Sequence, residues 1–155
     1  MSDDQIIETW NIHARINLYL LESIAPPALL TYSASKGRSV GEQFAHIHNV
    51  RLMWLKAAAP ELLKGLAKIE NPQAKDKKLL QKSLAASAQA IATLLGQSLA
   101  TGGKIKGFKP HAIAFLGYLI SHESHHRGQI MLALKQAGHP VDKKIQYGIW
   151  EWGVR

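Results

Sequence analysis

The chain contains no cysteine. That absence excludes a disulfide framework, a cysteine-ligated zinc site and a cysteine nucleophile together. No apolar run approaches the roughly 20 residues of a membrane span. The start, Met1-Ser2-Asp3-Asp4, is acidic, and no signal-peptide-like stretch follows it, so a cytoplasmic protein is the expectation. Acidic residues are scarce, 11 against 19 lysines and arginines, for a formal charge of +8. Such an excess invites a nucleic-acid reading. The lysines, however, are scattered through connecting segments (Lys75, Lys77 and Lys78; Lys104, Lys106 and Lys109; Lys143 and Lys144). No aromatic residues alternate with them, as a single-strand stacking surface requires. The reading kept is one of solvated loops that maintain solubility, and such loops also suit an anionic small molecule.

What is present is globular. A hydrophobic fraction of 46% with 19% charged residues argues against disorder, and 155 residues make one ordinary domain, 1–155. Four long helical patterns run along it, with no convincing strand. The first spans about Asp3 to Ile24, with Asp3 or Asp4 as cap and with Ile6, Trp10, His13, Asn17, Leu20, Leu21 and Ile24 on one stripe. Pro26-Pro27 closes it. Ser39-Val40-Gly41-Glu42 reads as a capping box that opens a second helix, to about Ala59. A third, about Asp76 to Ala100, is rich in Ala and Leu, the strongest helix formers, and Thr101-Gly102-Gly103 stops it. The fourth runs from about Pro110 to Ala137, with Gly138 as its C-terminal cap. These patterns predict an all-α four-helix bundle, with crossover connections permitted by the two long connections. The tail from Val141 to Arg155 carries Tyr147, Trp150 and Trp152 and is expected to pack against the bundle.

Eight histidines are present, three of them within His122-Glu123-Ser124-His125-His126. On a helix, His122 and His126 stand one turn apart on the same face. They share the stripe of Phe115, Leu119 and Ala133, with His111 and Gln129 at its edge, whereas His125 points elsewhere, nearer Tyr118. A single buried histidine is usually a hydrogen-bonded core residue. Two on one apolar stripe would each need a partner, and a pair of charged rings would repel, so a shared divalent metal ion such as zinc or nickel is the sharper reading. A third ligand must come from another helix, where His46 and His48 both have apolar flanks. Periodicity does not choose between them.

The chain resembles the DinB/YfiT-like superfamily over nearly its whole length. The resemblance rests on Trp10-Asn11-Ile12-His13-Ala14-Arg15-Ile16-Asn17, on Val40-Gly41-Glu42-Gln43-Phe44-Ala45-His46-Ile47, and above all on His122-Glu123-Ser124-His125-His126-Arg127-Gly128-Gln129-Ile130. It implies a metal-binding histidine triad on a four-helix bundle. By motif, the triad falls on His46, His122 and His126, and this resolves His46 from His48. The sequence departs from the family at His13, where relatives commonly carry an aromatic residue. His13 is expected either to line the pocket or to be a core residue bonded to a neighbour such as Asn17.

Three neutral imidazoles leave a coordination position open, as catalytic rather than structural metal sites do. Such an ion activates water, polarises a substrate oxygen or binds a thiolate. The resemblance implies the last use, since characterised relatives look like transferases and isomerases that work on small molecules with bacillithiol, mycothiol or a similar low-molecular-weight thiol. The lack of cysteine fits a nucleophile that arrives with the cosubstrate. Two other classes compete. His122-Glu123-x-x-His126 satisfies the zinc-peptidase pattern, in which Glu123 would activate water, with Glu151 as a distant third ligand. Its extended form fails, because Gln129 and Leu132 stand where glycine and histidine are required. The third class is a non-enzymatic helical module whose histidines merely pack. The expected roles for Glu123 are pairing with Arg127 one turn on, or orienting a ligand from behind; Gln129 is a further pocket candidate. Because protons compete for the three rings, metal affinity is expected to fall below about pH 6. A homodimer is compatible with the sequence, which does not determine the oligomeric state.

Overall fold

Residues 2–155 are described by a computed structural model. Four long helices form where the patterns place them: α1 (Asp3–Glu22), α2 (Val40–Ala58), α3 (Lys77–Ala100) and α4 (Ala112–Gln136). A short α5 (Lys143–Gly148) follows. Among the described residues there is no β-strand, only isolated bridges joining Tyr32 to Ser39 and Ile105 to Phe108. Among the described residues no helix is long and apolar enough to cross a membrane.

The caps explain the boundaries. α1 is capped by Ser2, one residue before the acidic pair expected there, and its side chain accepts from the Gln5 N–H. Asp3 and Asp4 occupy the first turn instead, where negative charge meets the positive end of the helix dipole. The capping box at α2 forms as read: Ser39 Oγ accepts from the Glu42 N–H, and Glu42 Oε1 accepts from the Ser39 N–H, both at 3.2 Å. Asp76 caps α3. α4 starts at Ala112 rather than Pro110, because His111 takes the cap position and its Nδ1 accepts from the Ala114 N–H at 3.1 Å. His111 is therefore a capping residue and not an edge of the metal stripe. Gly138, at φ +82°, supplies the left-handed residue that ends α4.

The helices are not in simple up-down order. α3 and α4 each pack against both α1 and α2, whereas α1 and α2 lie diagonally opposite. The core has two apolar halves. One holds Ile6 and Trp10 of α1, Leu55 of α2, Ile91 and Leu95 of α3 and Phe115 and Leu119 of α4. The other holds Leu20 and Leu21, Phe44 and Ile47, Leu80 and Leu84, and Ile130 and Leu134 from the same four helices. Hence α1 and α4 run in one direction, and α2 and α3 in the other. The parallel pair α2–α3 requires a crossover, residues 59–76, that travels back along the bundle. Its tightest point is Gly41, where an added Cβ would lie 2.0 Å from the Ala74 carbonyl oxygen.

The tail docks, but of the three aromatic residues expected to bury it only Trp152 is half-buried. Gly148 and Ile149 are buried, and Gly148 lies against the Tyr19 ring so closely that no Cβ would fit. The Arg155 guanidinium stacks 3.9 Å from the centroid of that ring, and Arg15 Nη2 donates to the Arg155 carbonyl. Tyr147 and Trp150 remain 72% and 74% exposed. A short helix turns one face inward only, and here the inward face carries the smaller residues.

Candidate metal centre

Between the two apolar halves lies a polar layer to which every long helix contributes at the same level: His13 and Asn17 from α1, Arg51 from α2, Ser87 from α3, and Glu123, His126 and Arg127 from α4. It holds two assemblies of different character.

The first is a trio. The ligand nitrogens of His46, His122 and His126 all lie within 4.8 Å of one another. Their rings converge edge to face, with centroids 4.5 Å apart for His46–His126, 4.6 Å for His122–His126 and 5.4 Å for His46–His122. The α4 pair meets because positions one turn apart share a face. α2 packs antiparallel against α4 and turns His46 toward that pair. His126 Nδ1 lies 2.6 Å from Gln43 Oε1. With a carboxamide oxygen as partner, Nδ1 carries the proton and Nε2 keeps its lone pair. That Nε2 lies 3.2 Å from Nε2 of His122. Two nitrogens each about 2.0–2.1 Å from one tetrahedral ion would stand about 3.3 Å apart, so the pair is already at chelating separation. The donor set fits a divalent ion.

The trio also stays uncharged. Burial, aided by the nearby Arg38 charge and by His122, pushes His46 down to about 4. Burial and the neighbouring histidines and Arg38 push His126 down to about 4. Burial lowers His122 as well, against the pull of the adjacent Glu123. Metal binding needs neutral imidazoles, and these three are neutral at physiological pH.

The second assembly is a network that saturates the Glu123 carboxylate, while His13 Nδ1 within it has no partner among the described residues. Arg51 reaches its carboxylate with two parallel bonds, Nε to Oε2 at 2.9 Å and Nη2 to Oε1 at 2.6 Å. Asn17 Nδ2 donates to Oε1 at 3.0 Å, and His13 Nε2 stands 3.1 Å from the same oxygen. Arg51 Nη1 donates further to the Leu84 carbonyl and to Ser87 Oγ, and the guanidinium lies 5.0 Å from the Trp10 ring centroid. Burial alone would raise the Glu123 carboxyl, but the Arg51 charge and hydrogen bonds, with the His13 bond, hold it down at about 2. His13 is fully buried, and that burial lowers its pKa against the pull of Glu123.

Several expectations change accordingly. Glu123 pairs with Arg51 across the bundle and not with Arg127, which instead donates to Asn17 Oδ1 at 2.7 Å and to Ser124 Oγ at 3.2 Å. Nor does Glu123 hydrogen-bond a histidine of the trio; the residue behind His126 is Gln43. His13 is a core residue rather than a pocket wall, and its partner is Glu123 rather than Asn17. A carboxylate that is 1% exposed and saturated by Arg51 is not available as a general base. This removes the main support for a peptidase, and Glu151 lies on the tail, paired with Arg155.

His48 is buried away from the trio, its Nε2 2.8 Å from the Ala67 carbonyl. Next to it, Asn49 exchanges two 2.9 Å bonds with the Ile69 backbone. Together they pin the crossover to α2. His125 and Gln129 are exposed on α4, and both line a groove of about 500 Å³ that reaches His126. Sequence reasoning missed Arg51 and Gln43. Arg51 could have been noticed as a cation within the apolar series Phe44, Ile47, His48 and Leu55. Gln43 precedes His46 by one turn, but nothing marked it as a partner for a residue on another helix.

An all-α bundle whose polar layer presents three convergent histidines defines a class of helical proteins with a site able to hold a metal ion. The sequence model of the DinB family matches residues 1–148, and the chain belongs to that family. No curated protein matches it.

Proposed function

We propose that His46, His122 and His126 hold one divalent metal ion, and that the protein is a metal-dependent enzyme acting on a small molecule, with a low-molecular-weight thiol as cosubstrate. One observation carries the reading: three neutral histidine nitrogens converge, two of them at 3.2 Å, with no protein group to satisfy them all. When bound, the ion would supply a Lewis acid and an attachment point for a thiolate. The chain's own residues provide the rest. Gln43 holds the His126 tautomer. Burial keeps protons off the rings. The groove past Gln129 gives a small molecule access from the side of α4. The thiol reading draws on the family resemblance and on the absence of a cysteine nucleophile.

The test is elemental analysis of protein purified without a nickel column, for wild type and for His46→Ala, His122→Ala and His126→Ala. Stoichiometric zinc, nickel or a similar ion in the wild type, lost in each variant, is the expected result. Cobalt-substituted protein should then change its visible spectrum when a thiol is added, since thiolate is a strong ligand for such ions. A wild type without metal, and unable to take any up, would sink the proposal.

A further inference from the structure

The groove beside the trio has a distinct electrostatic character. Its floor is α4, and its wall is the loop from Ser33 to Arg38. That loop is held in shape. Tyr32 bridges to Ser39, Ser33 Oγ donates to the Lys36 carbonyl, and the Ala34 N–H donates to Gln136 Oε1 of α4 at 2.9 Å. At its tip Lys36 (φ +65°) and Gly37 (φ +93°) are both left-handed. For lysine that conformation is costly, and it persists only where the surroundings fix it. Its effect is to turn the chain so that Arg38 follows directly at the groove's edge. Lys36 and Arg38 are the charged residues there; no carboxylate lines the groove. Arg38 forms no ion pair or hydrogen bond among the described residues. The nearest acid in sequence, Glu42, accepts from the Ser39 N–H and the Tyr32 hydroxyl at Oε1 and forms no ion pair with Arg38. Neutral polar groups such as Gln129 and Gln136, with the apolar Leu132 and Ala133, complete the lining.

We infer that the groove is an anion subsite, in which Arg38 receives the carboxylate of a small-molecule ligand whose other end reaches the histidine trio. The inference rests on the metal reading above and adds the class of ligand to it. A guanidinium presents paired N–H donors that match a carboxylate, and one without a protein partner is free to use them. The whole chain is cationic, yet this charge is set apart from the scattered lysines. A structured loop carries it, at the edge of a groove that His126 also lines.

The experiment uses full-length cobalt-loaded protein and two thiols of similar size, 3-mercaptopropionate and 2-mercaptoethanol, titrated against the cobalt spectrum. Wild type should bind the carboxylate thiol about tenfold more tightly, the effect of one charge-assisted hydrogen bond. Arg38→Gln should take up cobalt normally but lose that preference, and Arg38→Lys should restore part of it. Lys106→Gln, which removes the same charge from another loop, should leave the preference intact. Equal affinities in the wild type, or a preference that survives Arg38→Gln, would overturn the inference alone. A protein that takes up no cobalt would instead overturn the metal reading, and a loaded protein that answers neither thiol would overturn the thiol reading; either takes the inference with it.

Discussion

His122 and Glu123 are neighbours in sequence, yet their side chains enter opposite surroundings. Glu123 meets Arg51, Asn17 and His13, and both of its oxygens are taken. His122 meets His46 and His126, whose ring nitrogens lie within 4.8 Å of its own. One helix thus presents a saturated carboxylate on one side and an open donor set on the next. A buried polar group satisfied wholly by protein belongs to the fold. Three imidazoles that face one another, His126 buried and His46 and His122 half-buried, with no carboxylate among their partners, form a costly set unless a cation or protons complete it. The difference between the two assemblies is the strongest physical argument that one is structural and the other is built for a guest.

The comparison breaks most visibly in stability. Replacing Arg51 with methionine leaves a buried carboxylate unpaired and should cost about 3–5 kcal/mol, measured as a lower denaturant midpoint. The double variant Arg51→Met/Glu123→Leu should recover much of that, because neither charge is then stranded. If Arg51→Met unfolds no more easily than wild type, the network is not the structural half of the pair. The trio should behave the other way round. His46→Ala, His122→Ala and His126→Ala should leave the metal-free fold close to wild type. Their metal affinity should fall by more than the roughly 100-fold that loss of a supporting residue can cost.

Smaller effects sharpen the boundary between the two. Gln43→Ala should weaken metal binding by about 10–100-fold without removing a ligand, since it frees the His126 ring to change tautomer and orientation. His48→Ala should keep its metal and lose about 1–3 kcal/mol of stability, because it removes a buried ring and the partner of the Ala67 carbonyl. His125→Ala should change neither. Metal content and denaturation curves on the same three preparations separate these outcomes, and metal loss in His48→Ala would reverse the roles assigned to the two α2 histidines.

Acid should act on the two assemblies in different windows. His46 and His126 have pKa values depressed from 6.5 to about 4. The folded protein therefore binds fewer protons there than the unfolded chain. Metal-free stability should decline as pH falls from about 6.5 toward 4, and metal release should come nearer pH 4 than the pH 6 of ordinary histidines. Glu123 is depressed from 4.5 to about 2. Its contribution is complete above 4.5 and fades only as pH falls toward 2. Metal release followed by equilibrium dialysis should therefore precede loss of the Glu123 network on acidification. Release complete by pH 6 would contradict the depressed imidazoles.

Much of this was written locally in the chain. Helix limits followed from Ser39 with Glu42, from Asp76 and from Gly138, because caps satisfy backbone groups within a few residues. The α4 pair followed from i, i+4 spacing alone. The third member of the trio did not: His46 and His48 have equivalent flanks, and only the packing of α2 between α4 and the returning crossover turns one ring to the trio and the other to Ala67. Arg51, Gln43 and the true partner of Glu123 were likewise beyond local reading, since their contacts join residues 72 and 83 positions apart. The tail shows the same limit in reverse, for hydrophobicity favoured Tyr147 and Trp150 while the fit against Tyr19 selected Gly148 and Ile149. The sequence by itself determined four helices and two histidines one turn apart on a single face, both products of short-range periodicity. Which polar residues would close on one another, and which would stay open for a ligand, the tertiary structure decided, because that depends on where diagonal and parallel helices bring distant side chains to one level.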